Sequence, residues 1–292
     1  MSQAAVSDGD TVDGVRFEQP AEGVARIVLA RPEARNAQDK PMLYALNAAF
    51  DRAAHDDDVR VIILAGDGPH FSSGHDLRDR SEISDFEPVG TWGGTGRPGI
   101  EGYMASEHEI YLGLCWRWRN LPKPTIAQVQ GKVIAGGLML AWVCDLIVAA
   151  EDAEFSDPVV AFGVNGGEYF AHPWEVGARK AKEMLFTGEP LTAAEAKQLG
   201  MVNRVVPLER LESYTLEMAC HVAARPSMGL KLAKQSVNQM QDAQGLWPSL
   251  QAAMSLHQLG HSNDWQVHGV GIDPSGVEII RKQAKAPPKF RD

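Results

Sequence analysis

Five short apolar runs limit what this chain can fold into more narrowly than any other feature. They are Val24–Leu29, Val59–Leu64, Thr125–Val129, Leu146–Ala149 and Val202–Val206, and most of them do not alternate apolar with polar residues. A strand with one wet face must alternate, because successive side chains point to opposite sides of a sheet. Runs without alternation fit strands covered on both faces, the usual setting of parallel sheets. Helical patterns lie between them. Pro41–Ala54 follows Asp39 as an N-cap, and Ala178–Phe186 is amphipathic. Ala193–Gly200 follows Thr192, with Glu195 three residues on, the spacing of a capping box. Strands alternating with helices predict right-handed crossovers and a parallel or mixed sheet. From about Glu209 onward only helical spacing remains, at Leu211–Ala224 and Ser227–Gln241. The organisation expected is a disordered lead over 1–14, an α/β core over 15–208 and a helical subdomain over 209–292. Arg78–Ile100, rich in Gly, Pro and charge, reads as a mobile loop over a site.

Charge removes one broad class of function. With 28 basic and 38 acidic residues the net charge is −10, and a general nucleic-acid binder needs a basic surface. A phosphorylated small ligand remains allowed, since it needs only a few local cations. Cys115, Cys144 and Cys220 are odd in number and lack metal spacing, so they read as reduced thiols of a cytoplasmic protein. Met1–Asp10 is polar and has no signal-peptide core. Val133–Ala150 is long enough to raise the membrane question. It contains Asp145 and starts Gly-rich, so a buried helix followed by a buried strand, with no membrane span, is expected.

Two glycine turns carry the chemistry. Phe71-Ser72-Ser73-Gly74-His75-Asp76-Leu77 closely follows the second run, and Gly131-Lys132-Val133-Ile134-Ala135-Gly136-Gly137-Leu138 follows the third and opens a helix. A glycine at such a turn lets a ligand carbonyl approach the backbone without meeting a Cβ. The unpaired N–H groups of a first helical turn can then face that carbonyl. Two donors from separate turns make an oxyanion hole, where losing one costs about 2.7–4 kcal/mol in known cases.

In this order and spacing the turns resemble those of the crotonase (enoyl-CoA hydratase/isomerase) superfamily, from about Arg16 to the end of the chain. Phe71–Leu77 matches the family's F-S-A-G-x-D-L/I motif. Pro122-Lys123-Pro124-Thr125-Ile126-Ala127, with Gly131 and Gly136-Gly137, matches its K-P-x-I-A…N-G…G-G-G segment. Arg31–Ala37 is similar to the first CoA-contacting turn. Phe186-Thr187-Gly188, Ala193-x-Glu195-Ala196 and Gly200-Met201-Val202-Asn203-x-Val205 match the stretch leading into the last helices. The resemblance implies a crotonase-like spiral of ββα units with a C-terminal helical trimerisation subdomain, assembled as a homotrimer or homohexamer. It implies oxyanion donors at the amides of His75 and Gly136. CoA contacts are implied at Arg35, Ala37, Ser73 and His75, with Lys282 or Lys285 supplying a cation from the tail. The substrate would be a CoA thioester, with no further cofactor.

The departures from the family are as informative. Its hydratases place one glutamate three residues after the second oxyanion glycine, where this chain has Met139, and another just after a proline, where it has Val159. Adding water across a double bond needs groups that deprotonate the water and protonate the α-carbon, and neither Met nor Val can. The next loop, G-x-x-P-G-x-G-G in the family, has become Gly163-Val164-Asn165-Gly166-Gly167-Glu168-Tyr169. Asp157 and Glu168 are the candidate replacements, with His75 and His172 beside them, although Asp157 also reads as a turn residue and Glu168 as surface. His257 and His261 are four apart, but the H-E-x-x-H glutamate is missing, so they read as surface helix histidines and no metal is expected.

The sequence therefore points to an acyl-CoA enzyme that stabilises an enolate-like thioester. Isomerisation, decarboxylation, C–C cleavage and thioester hydrolysis are the reactions open to it. The rival is a non-catalytic acyl-CoA-binding homologue. Each acid–base group contributes about 10²–10⁴-fold, so crotonyl-CoA hydration by the purified protein should trail a competent family hydratase by at least about 10²-fold. Comparable rates in a spectrophotometric hydration assay would show that other residues do the work of the glutamates.

Overall fold

The computed structural model describes residues 9–286 and 288–290. In chain order its strands are β1 (Thr11–Val12), β2 (Val15–Ala21), β3 (Val24–Leu29), β4 (Val61–Gly66), β5 (Thr125–Val129), β6 (Lys132–Ile134), β7 (Leu146–Ala150), β8 (Glu154–Ser156), β9 (Leu191–Thr192) and β10 (Arg204–Val206). The helices are α1 (Lys40–His55), α2 (Ile100–Glu107), α3 (Leu114–Arg119), α4 (Gly136–Trp142), α5 (His172–Val176), α6 (Ala178–Thr187), α7 (Ala193–Leu199), α8 (Leu208–Ala223), α9 (Ser227–Ala243), α10 (Leu246–His268) and α11 (Gly276–Gln283). A π-helical stretch, His108–Gly113, joins α2 to α3.

The main sheet runs β1-β2-β3-β4-β5-β7-β10, and β6-β8-β9 form a smaller one. From β3 to β10 the main sheet is parallel, with the antiparallel hairpins β1–β2–β3 at its edge. The lack of alternation in the apolar runs has the expected cause. On β4, Ile62 and Leu64 belong to one core cluster with Leu46 and Phe50 of α1. Val61, Ile63 and Ala65 belong to another, with Leu211, Ala219 and Ala223 of α8. Burying each such Leu or Val stabilises by about 1.5–3 kcal/mol, and β4 contributes such residues to both faces.

Caps appear where the sequence places them. Asp39 accepts from Met42 N at 2.9 Å, and Thr192 and Glu195 bond reciprocally as a capping box. Other boundaries move for local reasons. Val59 N bonds Asp56 O and Val202 N bonds Ala196 O, so both valines finish the preceding helices and the strands start two residues later. Part of the expected disordered lead, residues 1–8, lies outside the described residues, whereas Thr11 and Val12 pair with Arg16 and Val15. Val133–Ala150 splits into α4 and β7, and no described helix is long and apolar enough to cross a membrane. The division expected at 208/209 falls one residue into α8, the helix that covers one face of the sheet.

The segment over Arg78–Ile100 is irregular, as expected, but it is fastened rather than free. Phe86 stacks on Tyr44 of α1 with ring centroids 4.5 Å apart. Val89 N and Gly90 N donate to Glu109 at 2.5 and 2.9 Å. At its start, Asp79 accepts from the backbone and side chain of Lys40, both at 3.0 Å, and from those of Ser81 at 2.9 and 2.6 Å. Burial alone would raise the Asp79 carboxyl, but these bonds bring it well below the usual carboxylate range. A depressed folded value gives stability that is present above the unfolded pKa and lost as the pH falls through the folded one. Asp79→Ala should thus cost about 1–3 kcal/mol near neutrality. In urea titrations the gap from wild type should close as the pH drops below about 4; a pH-independent gap would contradict the assignment.

Candidate active site

The two glycine turns meet across a short backbone zipper. Ser72 N bonds Lys132 O at 3.2 Å, and Ile134 N bonds Ser72 O at 3.0 Å, which carries the first turn along β6 to the start of α4. Gly74 lies at φ +88°, and a Cβ there would sit 2.8 Å from Ile134 O and 3.3 Å from Gly136 N. A Cβ on Gly136 would meet the His75 ring at 2.7 and 2.9 Å. Backbone bars any side chain at Gly74, whereas at Gly136 a Cβ would push the His75 ring aside. Ala135, between the zipper and α4, holds φ 47°, ψ −109°, a strained geometry costing about 1–3 kcal/mol; its N–H is tied to Ser156 O at 3.0 Å. Among the described residues, no recorded hydrogen bond takes the N–H of His75 or of Gly136. Adjacent unpaired backbone donors of this kind can donate to a ligand oxygen.

The residues implied for CoA gather on one side of this junction, with one exception. Ser73 N donates to Arg35 O at 3.0 Å and Gln38 N to Gly74 O at 2.8 Å, which stitches the Arg35–Ala37 turn to the Ser73–His75 turn. Arg35 is exposed in a left-handed conformation and Ala37 is buried. Lys282 lies apart from this group. It is exposed on α11 and ion-paired with Glu278 at 2.6 Å.

Met139 and Val159 line a small cavity of about 10 Å³ together with Asp157, His172 and Glu168. Asp157 Oδ2 and His172 Nε2 are 2.7 Å apart and both residues are buried. Asp157 Oδ1 and His172 Nδ1 have no hydrogen-bond partner. An ionised aspartate accepts only, so the proton in this contact sits on His172 Nε2, and Nδ1 is the ring nitrogen left without a partner. Glu168 is not a surface residue. Its Oε1 lies 3.6 Å from His75 Nε2 and 3.6 Å from His257 Nε2. Burial pushes its carboxyl up, but His257 and His75 outweigh this and lower it overall. Tyr111 packs on the His75 ring with centroids 4.1 Å apart, and burial raises its hydroxyl well above the ordinary value. The structure thus brings His75, Gly136, Asp157, His172 and Glu168 to one locality.

The reading of His257 and His261 as surface histidines is overturned. They are 1% and 3% exposed, facing inward from α10 onto Glu107 at the end of α2. Their Nε2 atoms are 3.0 Å apart, and His261 Nε2 lies 3.2 Å from Glu107. Glu107 itself went unnoticed in the sequence, since a single glutamate in an irregular stretch carries no local signal. The i,i+4 spacing of the two histidines was the one available sign, because such residues share a helix face.

The enoyl-CoA hydratase/isomerase family profile matches residues 19–92 and 100–272. The chain is 45% identical over 285 residues to the Mycobacterium tuberculosis protein named enoyl-CoA hydratase EchA13, covering 95% of this chain and 90% of that protein. Two crystal structures named as enoyl-CoA hydratases are similar throughout. The one from Mycobacterium smegmatis is 46% identical with a TM-score of 0.81, and the one from Mycobacterium thermoresistibile is 47% identical, also with a TM-score of 0.81. Each covers 89% of this chain and 99% of its own.

Proposed function

The chain belongs to the enoyl-CoA hydratase/isomerase family, and on that premise we propose that it moves protons on a CoA thioester enolate, as an isomerase does, rather than adding water. The observation that carries the reading is the place of the Asp157–His172 pair, in the same cavity as Met139 and Val159. The carboxylate chemistry missing from 139 and 159 has a neighbouring substitute. The thioester carbonyl would accept from the N–H groups of His75 and Gly136. His172 Nδ1 would take a proton from the α-carbon, and the electron pair would move onto the carbonyl oxygen as an enolate. Asp157 would hold the imidazolium formed in this step. Return of the same proton at the γ-carbon of an unsaturated chain migrates the double bond, and its return at the α-carbon restores the substrate. Glu168 serves as a positioning residue, setting the His75 ring beside the oxygen. Arg35, Ala37 and Ser73 would hold CoA.

The test is α-proton exchange in D₂O, followed by mass spectrometry on a saturated acyl-CoA, for which double-bond position does not matter. Wild type should exchange, and Asp157→Asn and His172→Gln should slow it by about 10²–10⁴-fold. Gly136→Ala, whose Cβ meets the His75 ring at 2.7 Å, should abolish it with an unchanged melting temperature. Acyl-CoA binding without exchange in wild type would favour the non-catalytic binding homologue. No acyl-CoA binding at all would reject the premise that the two turns hold a thioester.

We further propose that the chain assembles as a trimer or hexamer. The apolar stripe of α8, Leu211, Leu216, Met218 and Val222, packs with the sheet. Exposed apolar residues on the C-terminal helices include Met228, Leu232, Val237 and Met240 of α9 and Leu256 and Leu259 of α10. Exposed apolar side chains in this number favour an interface over free solvent. Multi-angle light scattering should report three or six chains, and Leu232→Glu with Val237→Glu should lower that number; a stable monomer of wild type would refute the assembly.

A further inference from the structure

We infer that Glu107, His257 and His261 form a binding site for one divalent transition-metal ion, of the zinc class, behind the proposed acyl pocket. The donor atoms already stand at ligand spacing. His257 Nε2 and His261 Nε2 are 3.0 Å apart, His261 Nε2 and Glu107 Oε1 are 3.2 Å apart, and His257 Nε2 and Glu107 Oε2 are 3.5 Å apart. Tetrahedral zinc with bonds of about 2.0–2.1 Å puts neighbouring ligands about 3.3–3.4 Å from one another. Each of the three residues is buried, and their ligand atoms lie within 4.8 Å of one another. Glu168 Oε1, 3.6 Å from His257 Nε2, stands at the rim as a fourth oxygen.

The far side of each ring supports the same assignment. His261 Nδ1 contacts Gly271 O, and a carbonyl only accepts, so Nδ1 carries a proton and Nε2 is the ring nitrogen turned toward Glu107. His257 Nδ1 is 3.1 Å from Asn165 Oδ1, and the amide is oriented by its own Nδ2, which donates to Ala253 O at 3.2 Å. Gly167 N donates to the same nitrogen at 3.2 Å, so the far side of the His257 ring is held by two partners and Nε2 is turned toward Glu107. Two Nε2 atoms then converge with one carboxylate, and a second carboxylate borders them, in a place where no Lys or Arg pairs with Glu107 or Glu168 among the described residues. Buried charges of one sign are paired or coordinate metals. Imidazole bonded through its other nitrogen to a backbone carbonyl or amide oxygen is the usual outer shell of a metal-binding histidine. Gln258 Nε2 donates to Glu107 Oε2 and secures the carboxylate in the same way.

The site stands independently of the thioester reading, so its test uses the full chain without substrate. Elemental analysis of purified protein should find one transition-metal ion per chain. After chelator treatment, calorimetric titration with Zn²⁺ should restore one site per chain. His261→Ala should lose it. Asn165→Leu, which touches no metal, should weaken Zn²⁺ binding by about 10–100-fold while circular dichroism stays unchanged, a result that a merely structural asparagine would not give. Wild-type protein with no bound metal and no Zn²⁺ binding beyond that of Glu107→Gln/His261→Ala would overturn the inference and leave the cluster held by shared protons. That comparison needs only the wild type if the variants fail to fold. Acyl-CoA binding by the stripped protein, measured in parallel, reports on the thioester reading separately.

Discussion

Everything in this structure turns on one close approach, that of the Ser72–Gly74 backbone to the start of α4. A Cβ at Gly74 would meet backbone and one at Gly136 would displace the His75 ring, so the two segments meet at a distance ordinary residues do not allow without a shift. The parallel pairing of β4 with β5 aims their continuations at one another, and the Ser72 zipper to β6 fixes the register. Ala135 takes up the remaining mismatch in a strained conformation. Local strain of this sort persists only where surrounding structure over-determines it, and here both sheets do so. The proposed oxyanion donors are a by-product of that geometry.

Much of the frame was legible in the sequence because it is written in local rules. Asp39 and the Thr192–Glu195 pair announce helix starts through backbone hydrogen bonds made within a few residues. Thr125–Val129 is a strand from end to end, a wholly buried run paired on both sides, with Thr125 at its start tied to Asp145. The longest helix, α10, escaped for a physical reason. Its buried positions include His257, Gln258, His261 and Asp264 alongside Leu250, Ala253 and Met254. The inward stripe has helical period but mixed polarity, so an apolar pattern never appears. The site divides the same way. Gly74, His75 and Gly136 sit in motifs, whereas the Asp157–His172 contact spans 15 residues and the Gln258–Glu107 contact 151, and no sequence window contains both partners.

The absence of Glu at 139 and 159 takes on meaning only with the cavity in view. Two apolar residues there would read as simple loss of function. With a buried Asp–His pair and Glu168 lining the same space, the pocket keeps ionisable groups although 139 and 159 are apolar. Asp157 stands two residues before Val159, just past the end of β8, where the chain bends at Pro158 (φ −84°, ψ 18°) into a short 3-10 turn, and both side chains still line the one cavity.

The inward face of α10 also sets an order of events for a chain leaving the ribosome. The sheet from β1 to β10 is complete once residue 206 has emerged, and α8 can cover it soon afterwards. The wall formed by His257 and His261 arrives later still, and its contacts join segments 92 and 151 residues apart. Contacts closed over such separations form late, because loop entropy must be lost before they reward it. A nascent chain therefore acquires a folded body well before it acquires a closed pocket, and the polar cluster on α2 waits in water until its last partners are made.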